Sequence, residues 1–325
     1  MTHRITDINQ VEGFCAASAE NARTGTGCTV ILCPQGAVGA VDVRGGAPAT
    51  RETDLLRPEE TVQVLHGVVL SGGSAYGLAA SCGVAEELER RGVGLDVGVG
   101  LVPIVSSACV FDLACGEPSP RPDASMGARA CARALEPGAS LTSGNHGAGC
   151  GCSVGKFAGP TRSMKGGLGQ GAASRGELVV AAVSAVNACG SVIDPSCGRV
   201  LAGTLDETGT TPLDARAALE LALGADPLIR GNTTVSCVVT NARLTKAQAT
   251  KVAQMAADAY AHAIVPTHTT NDGDTVFVMA HGDVEAGVDS VGMLAVTALE
   301  EAIVDAVRAA TAAYGLKAAR DLTPA

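Results

Sequence analysis

The sequence predicts a compact, layered α/β protein with helices packed outside stacked sheets. The first observation is composition. Of 325 residues, 46% are hydrophobic and 17% charged, yet only 2% are aromatic, there is no Trp, and 41 are Gly. Disorder is excluded, and the core must be built from Ala, Val and Leu with closely approaching backbones. The second observation is order, since strand-like runs bunch in the middle of the chain and helical patterns flank them. The third is length, which suffices for one large domain with a substantial core.

Short β-rich runs come first, at 28–33 (CTVILC), 36–43 (GAVGAVDV) and 66–74 (HGVVLSGGS). Residues 76–92 read as a helix stopped by Gly92, and 93–105 (VGLDVGVGLVPIV) as buried extended chain. A helix around 123–135 precedes a Gly-rich stretch at 143–174, and strand alternation resumes at 177–194. Residues 195–226 carry turn signals and one short helix near 213–223, an excursion at the surface. A strand at 233–242, a helix at 245–264 with Thr245 as N-cap, a strand at 275–282 and a long helix at about 289–314 complete the chain. Asp289 or Ser290 is expected to start the last helix.

The formal net charge of −10, without a Lys/Arg run, argues against nucleic-acid binding. No apolar stretch follows the first positive charges, so no secretory signal is expected. The most apolar segment, LVVAAVSAVNACG, is too short for a membrane span. A cytoplasmic protein is the resulting expectation. Twelve cysteines are spread evenly with no CxxC, and the one CxC (Cys150, Cys152) has a single nearby histidine, His146. A zinc site needs paired ligand groups, so no metal or other cofactor is expected and the thiols read as small buried hydrophobes.

Several motifs imitate known chemistry. GAGCGCSVGK misses the Walker A pattern at both ends, with Cys150 in the first glycine position and Phe157 after Lys156. Ser153 and Lys156 spell SxxK, but neither SDN nor KTG occurs, and GxSxG is absent. Lys156, among glycines and apolar residues, can still reach a pocket. Asp272 and Asp274 flank Gly273 just before a strand. They read as turn chemistry, as a divalent-metal DxD, or as an acidic pair that orients a nucleophile. Asn187 interrupts an apolar strand, either as a satisfied structural amide or as a donor to a developing oxyanion.

Gly231-Asn232-Thr233-Thr234 opens the strand at 233–242. It reads as an ordinary turn or as a site of self-cleavage. A cut before Thr233 places an α-amine of pKa about 7.7–8.0 on the residue that carries the hydroxyl, so one residue supplies nucleophile and proton acceptor. The cut is chemically an N-to-O acyl shift, in which Thr233 Oγ attacks the Asn232 carbonyl and the ester hydrolyses. Gly231 eases the bent backbone that this attack demands.

Nine blocks in order, RITDINQVEGF, TGCTVILCPQGAVGAVDVRGGAPATRETDLL, VVLSGGSAYGLAA, LVPIVSSACVFDL, GAGCGCSVGK, MKGGLGQGAAS, VNACGSVID, GNTTVSCVVTNA and NDGDTVFVMAHG, carry a resemblance. From about residue 4 to 314 the sequence resembles the self-cleaving DmpA-like aminopeptidase family. That resemblance implies an N-terminal-nucleophile hydrolase with a four-layer αββα sandwich, the fold shared with ornithine acetyltransferase. The Asn-Thr junction and the Asp-Gly-Asp turn look most like the branch that hydrolyses 6-aminohexanoate (nylon) oligomers, since other branches use Gly-Ser at the cut and a Ser-Gly-acid turn.

By this resemblance Thr233 is the nucleophile, released from Asn232 by autoproteolysis into chains 1–232 and 233–325 of one domain. Asp272 and Asp274 match the acidic pair that orients Thr233 and its amine, Asn187 the amide beside the oxyanion, and Lys156 a catalytic-site lysine. The chain departs from the branch at Phe111, which stands where a pocket tyrosine is expected, and Tyr76 reads either as the other candidate pocket aromatic or as packing at a helix start. The implied activity is hydrolysis of short peptides with a free amino end, β- or ω-amino acid amides or linear nylon oligomers, without metal, in a homo-oligomer such as a tetramer. Two alternatives are acyl transfer to an amine, as in ornithine acetyltransferase, and an uncleaved, non-enzymatic binding protein.

Overall fold

The computed structural model describes residues 7–224 and 231–322. Residues 4–6 of the first motif block, and the part of the sequence-derived excursion and junction at 225–230, lie outside the described residues. Strand β1 (Cys15–Asn21) pairs antiparallel with β2 (Thr26–Val43). The two runs expected at 28–33 and 36–43 are thus one strand. Pro34 has no N–H to give the ladder, and the register shifts between Leu32 and Ala37, so β2 bends where the sequence suggested a break. β3 (Thr50–Arg51) and β4 (Leu65–Ser71) follow. The helix expected at 76–92 is a 3₁₀ turn at Ser74–Ala79 that continues into α1 (Ala80–Arg90).

Residues 93–105 are not all buried. β5 (Leu95–Asp96) and β6 (Leu101–Val102) form a small hairpin whose Val99 is 97% exposed. Asp96 Oδ1 accepts from Gly98 N, and Gly98 has φ +81°, so turn chemistry lifts this apolar segment off the core. β7 (Val105–Cys109) returns to the sheet beside β4. Asp123 caps α2 (Ala124–Ala134) through Met126 N.

The glycine-rich stretch holds β8 (Ser153–Val154), β9 (Met164–Lys165) and most of β10 (Gly167–Arg175). β11 (Leu178–Asn187), β12 (Ser191–Ile193) and β13 (Val200–Ala202) come next, followed by α3 (Ala215–Gly224) and β14 (Thr233–Ala242). Thr245 caps α4 (Lys246–Ala256) in a reciprocal capping box with Gln248. The single helix expected at 245–264 is interrupted at Ala257 by an i→i+3 hydrogen bond from Tyr260 N, and α5 (Asp258–Ala263) follows. β15 (Ile264–Val265) and β16 (Thr275–Val284) precede α6 (Val288–Ala309), whose N-cap is Gly287 and not Asp289 or Ser290.

The main strands run in the order β10-β11-β14-β16-β2-β4-β7-β3, with β1 also on β2. Side-chain alternation shows that this path folds into two facing sheets at the bend of β2. Ala181, Val183 and Ala185 of β11 share one core with Val68 and Leu70 of β4 and with Phe277 and Met279 of β16. Their alternate neighbours Val180, Ala182 and Val186 pack instead with α4, α5 and α6. On the far side Val30, Leu32 and Val69 pack against Val84 of α1 and Met126 and Ala130 of α2. The layers are α1/α2, sheet, sheet, α4–α6, the αββα arrangement expected.

Small residues make the layers close. A Cβ at Gly169 would lie 2.1 Å from the Ala302 carbonyl of α6, so the helix rests directly on β10. β11 is antiparallel to β14, and β14 is parallel to β16. The end of β11 and the starts of β14 and β16 therefore meet at one edge of the sheet.

Candidate active site

At that edge Asn187, the last residue of β11, is the register partner of Thr233, the first residue of β14. Both are buried, as are Asn232, Asp272 and Asp274. The Thr233 hydroxyl donates to the carbonyl of Asn232, the residue before it. Its Oγ1 in turn accepts from Gly273 N at 3.1 Å. The turn between Asp272 and Asp274 thus presents a backbone donor to Thr233.

Asp274 is saturated with donors. Oδ1 accepts from Thr234 N at 2.7 Å, and Oδ2 accepts from Thr267 Oγ1 and His268 N and pairs with His268 Nδ1, each at 2.9 Å. His268 is held with φ +56° against the ring of Tyr260. The Tyr260 hydroxyl bonds to Ser236 and to the carbonyls of Thr234 and Thr275, tying the starts of β14 and β16 together. Asp272 Oδ2 accepts from Thr269 N at 2.6 Å, and burial followed by the charge of Asp274 raises the pKa of this carboxyl from 3.8 to about 6.

Lys156 comes from the loop after β8, which is extended and not helical, so its SxxK spelling has no helix to act on. Its ammonium donates to the Asn187 backbone carbonyl at 2.9 Å, to Asn187 Oδ1 at 3.0 Å and to the Gly231 carbonyl at 2.5 Å. Burial lowers its pKa from 10.5 to about 8, with the negative charge of Asp272 pulling partly the other way. Asn187 Oδ1 also accepts from Ser153 N, while Nδ2 donates to the Phe111 carbonyl at 2.9 Å and lies 3.4 Å from the Gly231 carbonyl. Asn187 is therefore fully engaged, and in this state its amide is aimed at Phe111 and Gly231 and not at the Asn232 carbonyl.

A cleft of about 460 Å³ opens beside this group, lined by Phe111, Asp112, Ser153, Lys156, Gly231 and Tyr314 among others. The Phe111 ring covers Gly231, where a Cβ would come within 2.7 Å of it. Phe111 lines this cleft. Tyr76 does not belong to the cleft lining. It is 62% exposed beneath the Arg121 guanidinium, 4.0 Å from the ring centre, because the positive φ of Ser74 turns this segment outward. The aromatic phenol at the cleft is Tyr314, which donates to the Ala22 carbonyl and bonds with Cys150.

Tyr314 lies near the end of the chain, and nothing local in its sequence marks it. His268 was more accessible to reading, six residues before Asp274 in the same polar turn. Among the described residues no group of three or more His, Cys, Asp or Glu side chains is arranged to hold a metal ion, and no helix is long and apolar enough to cross a membrane.

Comparison with known proteins agrees with this architecture. Residues 3–320 match Peptidase family S58. An uncharacterized aminopeptidase of Mycobacterium tuberculosis is 41% identical over 323 residues, covering 92% of this chain and 90% of the relative. A 6-aminohexanoate-oligomer endohydrolase of Paenarthrobacter ureafaciens is 32% identical over 282 residues, covering 84% and 74%. The chain thus shares more residues with the mycobacterial aminopeptidase than with the nylon-oligomer enzyme. Among solved structures, a β-aminopeptidase of Burkholderia sp. superposes with a TM-score of 0.67 at 20% identity, over 95% of this chain and 88% of that one. The L-aminopeptidase D-Ala-esterase/amidase of Ochrobactrum anthropi, described as a variant of the Ntn-hydrolase fold, gives 0.66 at 18% identity, over 95% and 89%. The chain belongs to peptidase family S58 and is an amide-bond hydrolase built on the Ntn-hydrolase fold.

Proposed function

We propose that the chain cleaves itself between Asn232 and Thr233, and that Thr233 then serves as the N-terminal nucleophile for amide hydrolysis. The observation that carries this reading is the contact of the Thr233 hydroxyl with the Asn232 carbonyl, supported from the other side by Gly273 N. In processing, Oγ bonds to the Asn232 carbonyl carbon and the C–N bond breaks, which leaves an ester and a free Thr233 amine. Water then hydrolyses the ester to the Asn232 carboxylate and the free hydroxyl.

In turnover the Thr233 amine accepts the hydroxyl proton as Oγ attacks a substrate amide, and returns it to the leaving amine. Water releases the acyl group from Oγ. Asp274, through Thr234 N, and Asp272 set the position and field of the new N-terminus, while Asn187 and backbone N–H groups bear on the oxyanion and Lys156 on the acyl side. The products of processing, 1–232 and 233–325, stay interwoven, because β14 is hydrogen-bonded between β11 and β16.

Substrates are amides of short peptides or of β- and ω-amino acids, linear 6-aminohexanoate oligomers included. All twelve thiols are free, which supports a reducing, cytoplasmic setting. Exposed Val97, Val99 and Val102 offer apolar surface to a homo-oligomer, a tetramer by the family resemblance. Denaturing mass analysis tests the reading directly. Two fragments that break at Asn232–Thr233 are expected, and a persistent 32.3 kDa chain would sink it.

A further inference from the structure

Asp274 reaches the proposed nucleophile through its Oδ1, which accepts from Thr234 N, the amide on the carboxyl side of Thr233. What holds that oxygen in place lies behind it, in the segment Thr267–Thr269. Thr267 Oγ1, His268 N and His268 Nδ1 each reach Oδ2 at 2.9 Å, and Thr269 N reaches Asp272 Oδ2 at 2.6 Å. Two consecutive N–H groups thus serve the two carboxylates, and the residue between them, His268, has φ +56°. Successive N–H groups around such a turn form a concave cradle for anions.

A glycine or an asparagine would occupy that left-handed position at less cost than a histidine. The ring is what a glycine lacks. Its Nδ1 adds a side-chain donor to the oxygen that the backbone of His268 already serves. Nε2 is buried with no hydrogen-bond partner among the described residues, so a proton there has nothing to bond and the ring proton belongs on Nδ1. The ring lies against Tyr260, with centroids 5.6 Å apart. The Tyr260 hydroxyl in turn reaches the Thr234 carbonyl at 3.1 Å. Thr234 is therefore held at its N–H by Asp274 and at its C=O by Tyr260, and His268 touches both of those groups.

Resting on the self-processing reading above, we infer that His268 is a positioning residue for Thr233. Its Nδ1–H fixes the carboxylate of Asp274, and with it the peptide that carries the hydroxyl and the new amine. His268 is not among the residues that line the cleft, so it acts on kcat and not on KM.

The test compares two variants that both accept the backbone angle and both lack the ring. His268→Asn keeps an NH2 on the atom that corresponds to Nδ1, and His268→Gly has no side-chain donor. Wild type is first shown to process, and its turnover is measured on alanine p-nitroanilide, β-alanine p-nitroanilide and a linear 6-aminohexanoate trimer. On the amide that wild type hydrolyses fastest, kcat of processed His268→Gly is expected to lie about tenfold or more below that of His268→Asn, with KM within about twofold. The rate of self-cleavage, followed by mass, should divide the two variants in the same way, and it decides alone if no amide is turned over. Equal rates in the two variants would overturn the inference and leave self-processing intact. Wild type carrying isotope-labelled histidine gives a reading that no variant's folding can spoil. The His268 ring resonances, assigned by their loss in His268→Asn, are expected to place the proton on Nδ1 at neutral pH, and a lone proton on Nε2 would also overturn the inference. A wild-type chain that stays whole would sink the self-processing reading first, and this inference with it.

Discussion

Asn187 and Thr233 face each other as register partners across β11 and β14, and the Lys156 ammonium reaches from the first of them to the carbonyl two residues before the second. One strand end thereby carries the groups that hold the Gly231 side of the junction, and the other carries the hydroxyl that touches its carbonyl. The Asp272–Asp274 turn closes the third side. Four experiments follow from that geometry.

Thr233→Ala is expected to leave an intact chain, while Thr233→Ser keeps an attacking hydroxyl and is expected to process, more slowly. Mass analysis over time separates the two. Normal processing of the alanine variant would move the reaction to Thr234, whose hydroxyl is buried without a hydrogen-bond partner.

Asp274→Asn keeps the shape of the side chain but replaces an oxygen that accepts donors with an NH2 group. Activity of the processed protein is expected to fall by about a hundredfold, with a lower Tm because buried donors lose their acceptor. Unchanged activity would return the NDGD segment to the role of a simple turn.

Asp272, Lys156 and the Thr233 amine are expected to shape the pH profile. Activity that needs the Asp272 carboxylate ionised (about 6), the amine neutral (about 7.7–8.0) and the Lys156 ammonium charged (about 8) is expected to rise from about pH 6 toward pH 8 and to fall above it. For stability the signs follow from linkage. Folded Asp272 holds its proton more tightly than the unfolded chain, so its contribution is lost as pH rises from about 3.8 to about 6. Folded Lys156 holds its proton less tightly, so its contribution grows from about pH 8 to 10.5. The Tm of Asp272→Asn relative to wild type is therefore expected to increase between pH 4 and pH 7. A constant difference would contradict the assignment.

Gly231 has φ +129° and backs onto the Phe111 ring. Gly231→Ala adds a Cβ to both constraints, at a cost of about 1–3 kcal/mol, and is expected to slow processing about tenfold or more. Phe111→Ala in the same chain removes the clash but not the backbone cost, so partial recovery of the processing rate is expected. Absence of any recovery would mean that the ring does not hold the junction.

The principal elements were legible because their patterns are local. Alternation marks β11, β14 and β16, Thr245 caps α4 as expected, and Asn232-Thr233, Asp272, Asp274, Asn187 and Lys156 stand out by residue type against apolar or glycine-rich surroundings. Burial of the 93–105 segment was misread because valines between glycines look alike in a core and on a protruding hairpin. Tyr76 stayed open between pocket and helix-start packing for a similar reason, as an aromatic near a helix start carries no sign of which way it turns.

By itself the sequence determined the layered class, the strands that carry the polar residues, and the junction where chemistry is feasible. The tertiary structure alone decided that the end of β11 meets the start of β14, that Lys156 spends its donors on Asn187 and Gly231, and that Tyr314 and not Tyr76 lines the cleft. These are contacts between residues distant in the chain. They depend on strand register, the bend in β2 and the close approach of glycine-rich backbones, none of which leaves a local periodicity to read.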